Sequence, residues 1–534
     1  MNVHLPARHV LTPSLVGCVL AILLLLSAGK PGAAAADMLP AAERVLAAPV
    51  DVGSLTTRLY ASGTPPRWLD DGQAQARLAL QLLMDAAAHG LDSRHYGAEA
   101  LTRRLENLHG DTAGFERDLS TAMLQFLADL HQGRTRSPYR QAAGTSVGLD
   151  LVEYLRSAVN SARLAQAVEA AAPALPLYWR VKETLARYHE LASLVPQWQS
   201  LPPAVGAGIT AGNPYAGAAL LRQRLQLLGD LAPDAVTGDE RVYDAMLAEA
   251  VRRFQSRHGL AEDGVLGPAT IAALSVPPAR RAEQLALTME RLRWLPRLSG
   301  LTVAVNVPAY RLWAFNLSQP TPSEILDMRV IVGKAARTPT PLFIATMRHL
   351  EFNPYWNVPR SIAVGEIVPK LARNPGYLQQ NDMELVSASG QRLSATAGEA
   401  LGLIRSGAAR IRQRPGAKNV LGEVKFAMPN AMNIYLHSTS AKELFARARR
   451  DLSHGCIRVE RPAELAQFVL ANPVQWDAAH VAAAMRPGPT RRVDLANPVT
   501  VILFYATAVT DREGRALFSD DIYGHDLALR RALE

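Results

Sequence analysis

From residue 37 to about 200, apolar side chains recur every three or four positions, the period of helices that bury one face. In 76–88 (ARLALQLLMDAAA), Leu78, Leu82 and Ala86 fall on one stripe, and Gly90 stands where a left-handed helix cap belongs. Residues 119–130 repeat the pattern with Leu119, Met123, Phe126, Leu127 and Leu130. His89, His95, His109 and His131 are spread out and read as surface or capping histidines, not metal ligands. An all-helical scaffold without a catalytic constellation is expected here.

A run rich in Gly, Pro and Ala at 201–217 marks a boundary. The next unit, about 213–276, carries Leu220, Leu221, Leu225 and Leu228 on a first helix and Tyr243, Met246, Leu247, Ala250, Val251 and Phe254 on a second. The turn Glu262-Asp263-Gly264 and Pro268 in a first-turn position predict a third short helix over 269–274. After a helical connector (281–295) the period switches to two: Leu301, Val303, Val305 and Val307 alternate, and 310–316 follows after Pro308-Ala309 as the second arm of a hairpin. Further strands are expected at 325–332, 344–352, 434–437 and 499–506, so the last domain is mainly β. Between 369 and 420 the strand pattern lapses, and Lys370, Arg373, Arg405, Arg410, Arg412, Arg414 and Lys418 sit among glycines and short helical pieces. This reads as an inserted cap or lid.

The predicted organisation is therefore multidomain α+β: a leader at 1–36, a helical scaffold at 37–200, a three-helix unit at 213–276, and a mainly β domain at 299–534 interrupted by 369–420. The leader is read from the uncharged run 10–28, from Arg8, His9 and Lys30 around it, and from Ala34-Ala35-Ala36 as a cleavage site. It predicts an exported, periplasmic protein, and an uncleaved inner-membrane anchor is the alternative, because about 19 apolar residues just span a bilayer. The formal charge of +9 is scattered along the chain, which biases it towards anionic surroundings such as a cell wall and supports no nucleic-acid partner. Of the two cysteines, Cys18 lies in the leader, leaving Cys456 as the one thiol of the mature chain. A lone thiol in an oxidising compartment makes no internal disulfide and suggests reactivity.

The chemistry concentrates in Ile434-Tyr435-Leu436-His437-Ser438 and Ser453-His454-Gly455-Cys456-Ile457-Arg458. A free thiol has a pKa of about 8.5, and a neighbouring imidazole makes it a nucleophile for acyl transfer. Ser440-Ala441-Lys442-Glu443 has capping-box spacing, which predicts a short helix over 441–449 that returns the chain so that His437 and Cys456 face one pocket. A zinc hydrolase built on His437, His454 and Cys456 is a second reading, although no fourth ligand accompanies them at telling spacing. A non-catalytic wall-anchoring protein is a third.

Two resemblances bear on these readings. Residues 250–274, with an F-Q-x-x-x-G-L-x-x-D-G-x-x-G-x-x-T core, resemble a peptidoglycan-binding domain. The motifs Y-L-H-S and S-H-G-C-I-R resemble the L,D-transpeptidase (YkuD-like) catalytic domain, and the blocks at 352–359, 415–422 and 520–526 are similar to its large periplasmic YcbB-like type. That resemblance implies Cys456 as nucleophile, His437 as base, the Ser438 carbonyl as the group orienting the imidazole, and the N–H of Gly455 or Cys456 as oxyanion donor. It further implies that His454 acts through hydrogen bonding, that Arg458 and Ser453 serve substrate or loop, and that Asn353, Tyr355 and Trp356 contact the stem peptide. Peptidoglycan stem peptides are then donor and acceptor, other cell-wall synthesis proteins are further partners, no metal or organic cofactor is needed, and carbapenems acylate the same cysteine. The implied reaction is a 3→3 cross-link that releases D-alanine, with carboxypeptidase or exchange activity when water or a free amino acid replaces the acceptor.

Overall fold

The computed structural model describes residues 50–61, 65–108, 110–139, 149–204, 206, 208–235, 238–318 and 325–534, so the leader expected at 1–36 and His109 lie outside the described residues. The first part is helical, as the period-3.6 pattern predicts. Its longest helix, Thr112–Gln132, starts where the Asp111 carboxylate accepts the Gly114 N–H, and it buries Phe115, Leu119, Met123, Phe126, Leu127 and Leu130. Helix Asp70–Met84 is rotated from the predicted stripe: Ala76, Ala79, Leu80 and Leu83 are buried, while Leu78 and Leu82 are half-buried at the edge of the same core. The helix ends through a 3₁₀ turn, Asp85–His89, and Gly90 at φ 68° is the left-handed cap.

His89 corrects the surface reading. It is buried, its Nδ1 lies 2.9 Å from the Tyr178 hydroxyl, and its Nε2 accepts from Lys182 Nζ at 3.1 Å. The Arg293 guanidinium donates to the His89 carbonyl and to Tyr178, and Glu290 accepts the Arg134 and Thr135 N–H groups at 2.7 and 2.9 Å. Helix Pro278–Arg293 is thereby fixed to the scaffold by charge-assisted hydrogen bonds.

Helices Ala218–Leu228, Ala245–Arg257 and Pro268–Leu274 form the three-helix unit. A hairpin unforeseen in the sequence, Ala508–Thr510 with Ala516–Phe518, packs against it. Arg257 donates to the Ala516 carbonyl at 3.1 Å, Phe518 stacks on His258 at 5.4 Å, Thr510 meets Thr184 of the scaffold at 2.8 Å, and Thr288 donates to the Ala508 carbonyl at 2.7 Å.

The β domain is a nine-stranded sheet: β1 Leu301–Asn306, β2 Arg311–Asn316, β3 Leu326–Gly333, β4 Phe343–Phe352, β5 Val424–Ala427, β6 Leu436–His437, β7 Asp451–Ser453, β8 Ile457–Val459 and β9 Arg491–Phe504. The order is β7-β3-β8-β6-β5-β4-β9-β1-β2, and β2 also pairs with β3, so the sheet closes on itself and leaves β7 outside the ring. The β1–β2 hairpin pairs Leu301 with Asn316 through Asn306 with Arg311, as the alternation predicts. Period-two side chains send Leu350, Phe352, Val424, Phe426, Leu436, Ile457 and Val459 into the core. The residues between them face the other way, towards the site.

Two expectations need correction. The segment read as lapsed strand pattern, 369–420, belongs to a larger module that begins near 356 and holds its own sheet, with Trp356–Asn357, Arg410–Gln413, Met383–Val386 and Arg392–Leu393 in that order, and a separate core of Trp356, Val358, Ile367, Leu371, Leu385, Ile404, Ile411 and Leu421. Its strands are four residues or fewer, too short for alternation to register. The helix expected over 441–449 is a single 3₁₀ turn, Lys442–Ala446, with no side-chain cap.

Candidate active site

Strand pairing assembles the site. Parallel pairing of β6 with β8 sets His437 beside Arg458, antiparallel pairing with β5 sets His437 opposite Lys425, and β5 with β4 sets Lys425 opposite Glu351. These side chains share one face, as do Tyr435, two residues before His437, and Cys456, two before Arg458. All of them line a cavity of about 1040 Å³ between this face and the inserted module, which contributes Tyr355, Trp356, Glu366, Lys370 and Lys418.

His437 is buried, and its Nδ1–H donates to the Ser438 carbonyl at 2.5 Å. A carbonyl only accepts, so a proton sits on Nδ1. Burial, then the Arg458 charge, pushes the imidazole pKa down to about 3, and the residue stands neutral as a base. Burial likewise pushes the Cys456 thiol up, opposed by Tyr435, Lys425 and Arg458. The resting pair is thiol and imidazole, not thiolate and imidazolium. Sγ donates weakly to the Asn433 carbonyl at 3.7 Å, and no hydrogen bond joins Cys456 directly to His437 among the described residues.

The loop around the thiol is pinned from behind. Ser453 is buried; its hydroxyl donates to the Cys456 carbonyl at 2.6 Å and accepts the Gly455 N–H at 3.1 Å. Ser453 therefore staples the loop while lining the cavity, and the Gly455 N–H is already used by its hydroxyl. Gly455 adopts φ 108°, and its carbonyl accepts from Thr340 Oγ1 at 2.8 Å. Tyr523, from the 520–526 block, accepts the Thr340 N–H at 3.1 Å and donates to the Gly333 carbonyl at 2.6 Å.

The other predicted residues divide. Arg458 is half-buried beside His437, with its Nε buried and unpartnered among the described residues. Tyr355 lines the cavity under the Arg412 guanidinium at 4.3 Å, and Trp356 lines it from the module's core. His454 lines the cavity and donates from Nε2 to Glu366 Oε1 at 2.5 Å, tying the catalytic loop to the inserted module. Asn353 does not line the cavity: at φ 50° it makes a turn, and its amide donates to the Arg486 and Ala484 carbonyls at 2.8 and 3.3 Å. Its assignment as a substrate contact is thus corrected to a turn-holding role. Among the described residues no three His, Cys, Asp or Glu side chains gather as cation ligands.

Sequence reasoning missed Glu423 and Lys425, and named Tyr435 without giving it a role. Glu423 accepts the Ser438 hydroxyl, and so fixes the residue whose carbonyl orients His437. Burial, then the neighbouring Cys456, keeps the Tyr435 phenol protonated well above its usual range. Gly422, at φ 62°, lies so close that an added Cβ would fall 2.5 Å from Ser438 Oγ and 2.8 Å from the Thr439 nitrogen. Gly422→Ala is expected to cost about 2 to 4 kcal/mol, from the left-handed conformation plus the clash, and to slow reaction at Cys456 at least about tenfold. Melting temperature and the rate of thiol acylation are the two measurements; an unchanged acylation rate would remove this glycine from the argument.

Residues 301–498 match a family model described as the L,D-transpeptidase catalytic domain (YkuD), 54–185 a scaffold domain, and 216–274 a "Putative peptidoglycan binding domain". A Haemophilus influenzae protein named "Putative L,D-transpeptidase" is 30% identical over 250 residues, which cover 47% of this chain and 49% of that protein. The match thus spans about half the length of that curated relative. Among solved structures, the L,D-transpeptidase of Xylanimonas cellulosilytica aligns with 57% of this chain and 100% of its own at 17% identity and TM-score 0.16. That of Stackebrandtia nassauensis aligns with 57% and 97% at 13% identity and TM-score 0.24. The closed sheet that presents Cys456 and His437 is the L,D-transpeptidase catalytic domain of the YkuD family, carried here behind a scaffold and a peptidoglycan-binding domain.

Proposed function

We propose that the protein is a peptidoglycan L,D-transpeptidase that forms 3→3 cross-links through a thioester on Cys456. The observation that carries this reading is a thiol and a neutral imidazole lining one cavity, with the imidazole's Nδ1–H held by the Ser438 carbonyl. His437 Nε2 takes the thiol proton as Sγ attacks the carbonyl of the third residue of a tetrapeptide stem. The Cys456 N–H meets the developing oxyanion, a contribution typically worth about 3 kcal/mol. The C–N bond to D-alanine breaks, the imidazolium gives its proton to the leaving nitrogen, and the thioester remains. The side-chain amine of a diacidic residue in a second stem then forms the new C–N bond. The C–S bond breaks, and the amine proton passes through His437 to the departing thiolate.

The leader read at 1–36, with its uncharged run 10–28, supports export and so a periplasmic site for this chemistry. Carbapenems, as acylating analogues of the donor, react with the same sulfur.

Intact-protein mass spectrometry after incubation with a disaccharide-tetrapeptide tests the reading. A mass gain equal to the donor minus D-alanine is expected in the wild type and not in Cys456→Ala. A folded wild-type protein that gives neither adduct nor product would sink it.

A further inference from the structure

Of the charged groups lining the cavity that the acyl-transfer reading leaves unused, Lys425 is the one paired directly with the strand of the base. Lys425 stands directly across from His437 on β5, on the site face of the sheet, and its side chain is 22% exposed into the cavity it lines. Its ammonium lies 3.3 Å from both oxygens of Glu351, the next residue across the sheet, and 5.0 Å from the centre of the Tyr435 ring. Tyr435 in turn neighbours Cys456. His349, two residues before Glu351 on β4, also contacts that carboxylate, at Oε1, at 3.4 Å. A lysine is thus held between a carboxylate and an aromatic ring, one strand from the base and one residue from the nucleophile.

An exposed cross-strand ion pair stabilises a sheet by about 0.2 to 1 kcal/mol, so stability alone is a weak reason for this arrangement inside a cavity. The reaction supplies a stronger one. Both groups exchanged at the thioester carbonyl are α-amino carboxylates: terminal D-alanine leaves by its nitrogen, and the entering amine sits on a carbon that also bears a carboxylate. Leaving and entering nitrogens occupy the same position relative to Sγ. Their carboxylates therefore fall in the same place, and a cation there serves both half-reactions.

We propose that Lys425, positioned by Glu351, binds the carboxylate on the carbon bearing the reacting nitrogen, first that of the departing amino acid and then that of the entering amine. Arg458, on the opposite side of His437, is left to the rest of the donor stem. The ligand class is a D-configured or diamino acid with a free carboxylate, and a plain amine or an amino amide is discriminated against. This inference rests on the transpeptidase reading for its chemistry, but its binding step is measurable without turnover.

The test has two arms. In the first, the acyl-enzyme formed with disaccharide-tetrapeptide is resolved by an equimolar mixture of D-methionine and D-methioninamide, and the two products are quantified by mass spectrometry. A hydrogen bond to a charged group discriminates by about tenfold to a hundredfold, so the wild type is expected to favour D-methionine by at least tenfold. Lys425→Met is expected to bring that ratio close to one, with Lys425→Arg restoring most of it. Because both products come from one acyl-enzyme, altered folding or acylation cancels from the ratio. An unchanged ratio in Lys425→Met, or a collapse in Arg458→Met instead, overturns the assignment. In the second arm, diaminopimelate is titrated into Cys456→Ala and Cys456→Ala/Lys425→Met by calorimetry. About tenfold weaker binding in the double variant is expected, and equal binding overturns the proposal. A wild type that forms no acyl-enzyme while Cys456→Ala still binds diaminopimelate through Lys425 would remove the transpeptidase reading and leave the subsite standing.

Discussion

His437→Gln is expected to slow acylation of Cys456 by the tetrapeptide donor about 10³-fold, within the range lost when a positioned general base is removed. The substitution keeps a planar polar side chain, so Ser438 and its bond to Glu423 stay in place while the basic lone pair is lost. The pH profile separates this mechanism from a preformed ion pair. With the imidazole pKa pushed down to about 3, His437 is neutral at every pH from 4 upward. The thiol is pushed up by its burial and stays protonated through neutrality. The reacting species is then the neutral pair, whose population hardly changes over that range. Wild-type acylation at pH 5 is expected to lie within about threefold of that at pH 7, with any acid limb below about pH 4. Stopped-flow acylation by a chromogenic carbapenem measures both quantities. An acid limb with a midpoint near 6.5 would mean that the imidazole titrates as if exposed, and a His437→Gln rate within tenfold of wild type would give the base another identity.

The same geometry explains what could be read from the sequence. The β1–β2 hairpin was legible because Leu301, Val303 and Val305 alternate over enough residues for the period to show. Cys456 and His437 were legible because a lone thiol among glycine and histidine is chemically conspicuous. Strands β6, β7 and β8 are two or three residues long, and their place beside β3 and β5 depends on closure of the ring, which no local pattern encodes. Glu366 lies 88 residues from His454, and its role as that residue's partner exists only once the inserted module is packed. Ser453 and Asn353 stand within motif blocks that suggest substrate contact, yet their polar atoms are used by neighbouring backbone. Lys425 is the converse. In an alternating strand a lysine reads as solvent-facing, and here the face away from the core is the wall of the cavity.

Acid should unfold the protein well above the pH at which most carboxylates titrate, with stability falling by about 3 kcal/mol per pH unit between pH 6 and 4. Three histidines carry most of the effect, and His95 and His189, also lowered by burial, add to it in the same sense. Burial, then the charges of Lys182 and Arg293, brings His89 down to about 3; burial, then Arg458, does the same to His437. His258, sandwiched between Phe254 at 3.7 Å and Phe518 at 5.4 Å, is held well below its ordinary value by burial and then by Arg257 and Arg281. In the unfolded chain all three take up protons below about 6.5, while in the folded chain none does until far lower pH. Their contribution is therefore complete above that value and is lost as pH falls, at about 1.4 kcal/mol per unit for each. Asp129 acts in the opposite sense: burial raises it to about 6, so between 6 and about 4 the folded state takes up a proton that the unfolded state does not, cancelling one of the three. These four groups leave about two net protons, which sets the order of the expected slope. Urea unfolding at pH 7.5, 6 and 5 measures it, and His258→Gln should reduce it by about 1.4 kcal/mol per unit without touching the catalytic face. Because His258 joins the three-helix unit to the Ala508–Thr510 and Ala516–Phe518 hairpin, its protonation should loosen that contact first. Hydrogen exchange at pH 5 would then rise in Ala516–Phe518 before it rises in β1 to β9, and a simultaneous rise in both would mean that the histidines report global unfolding alone.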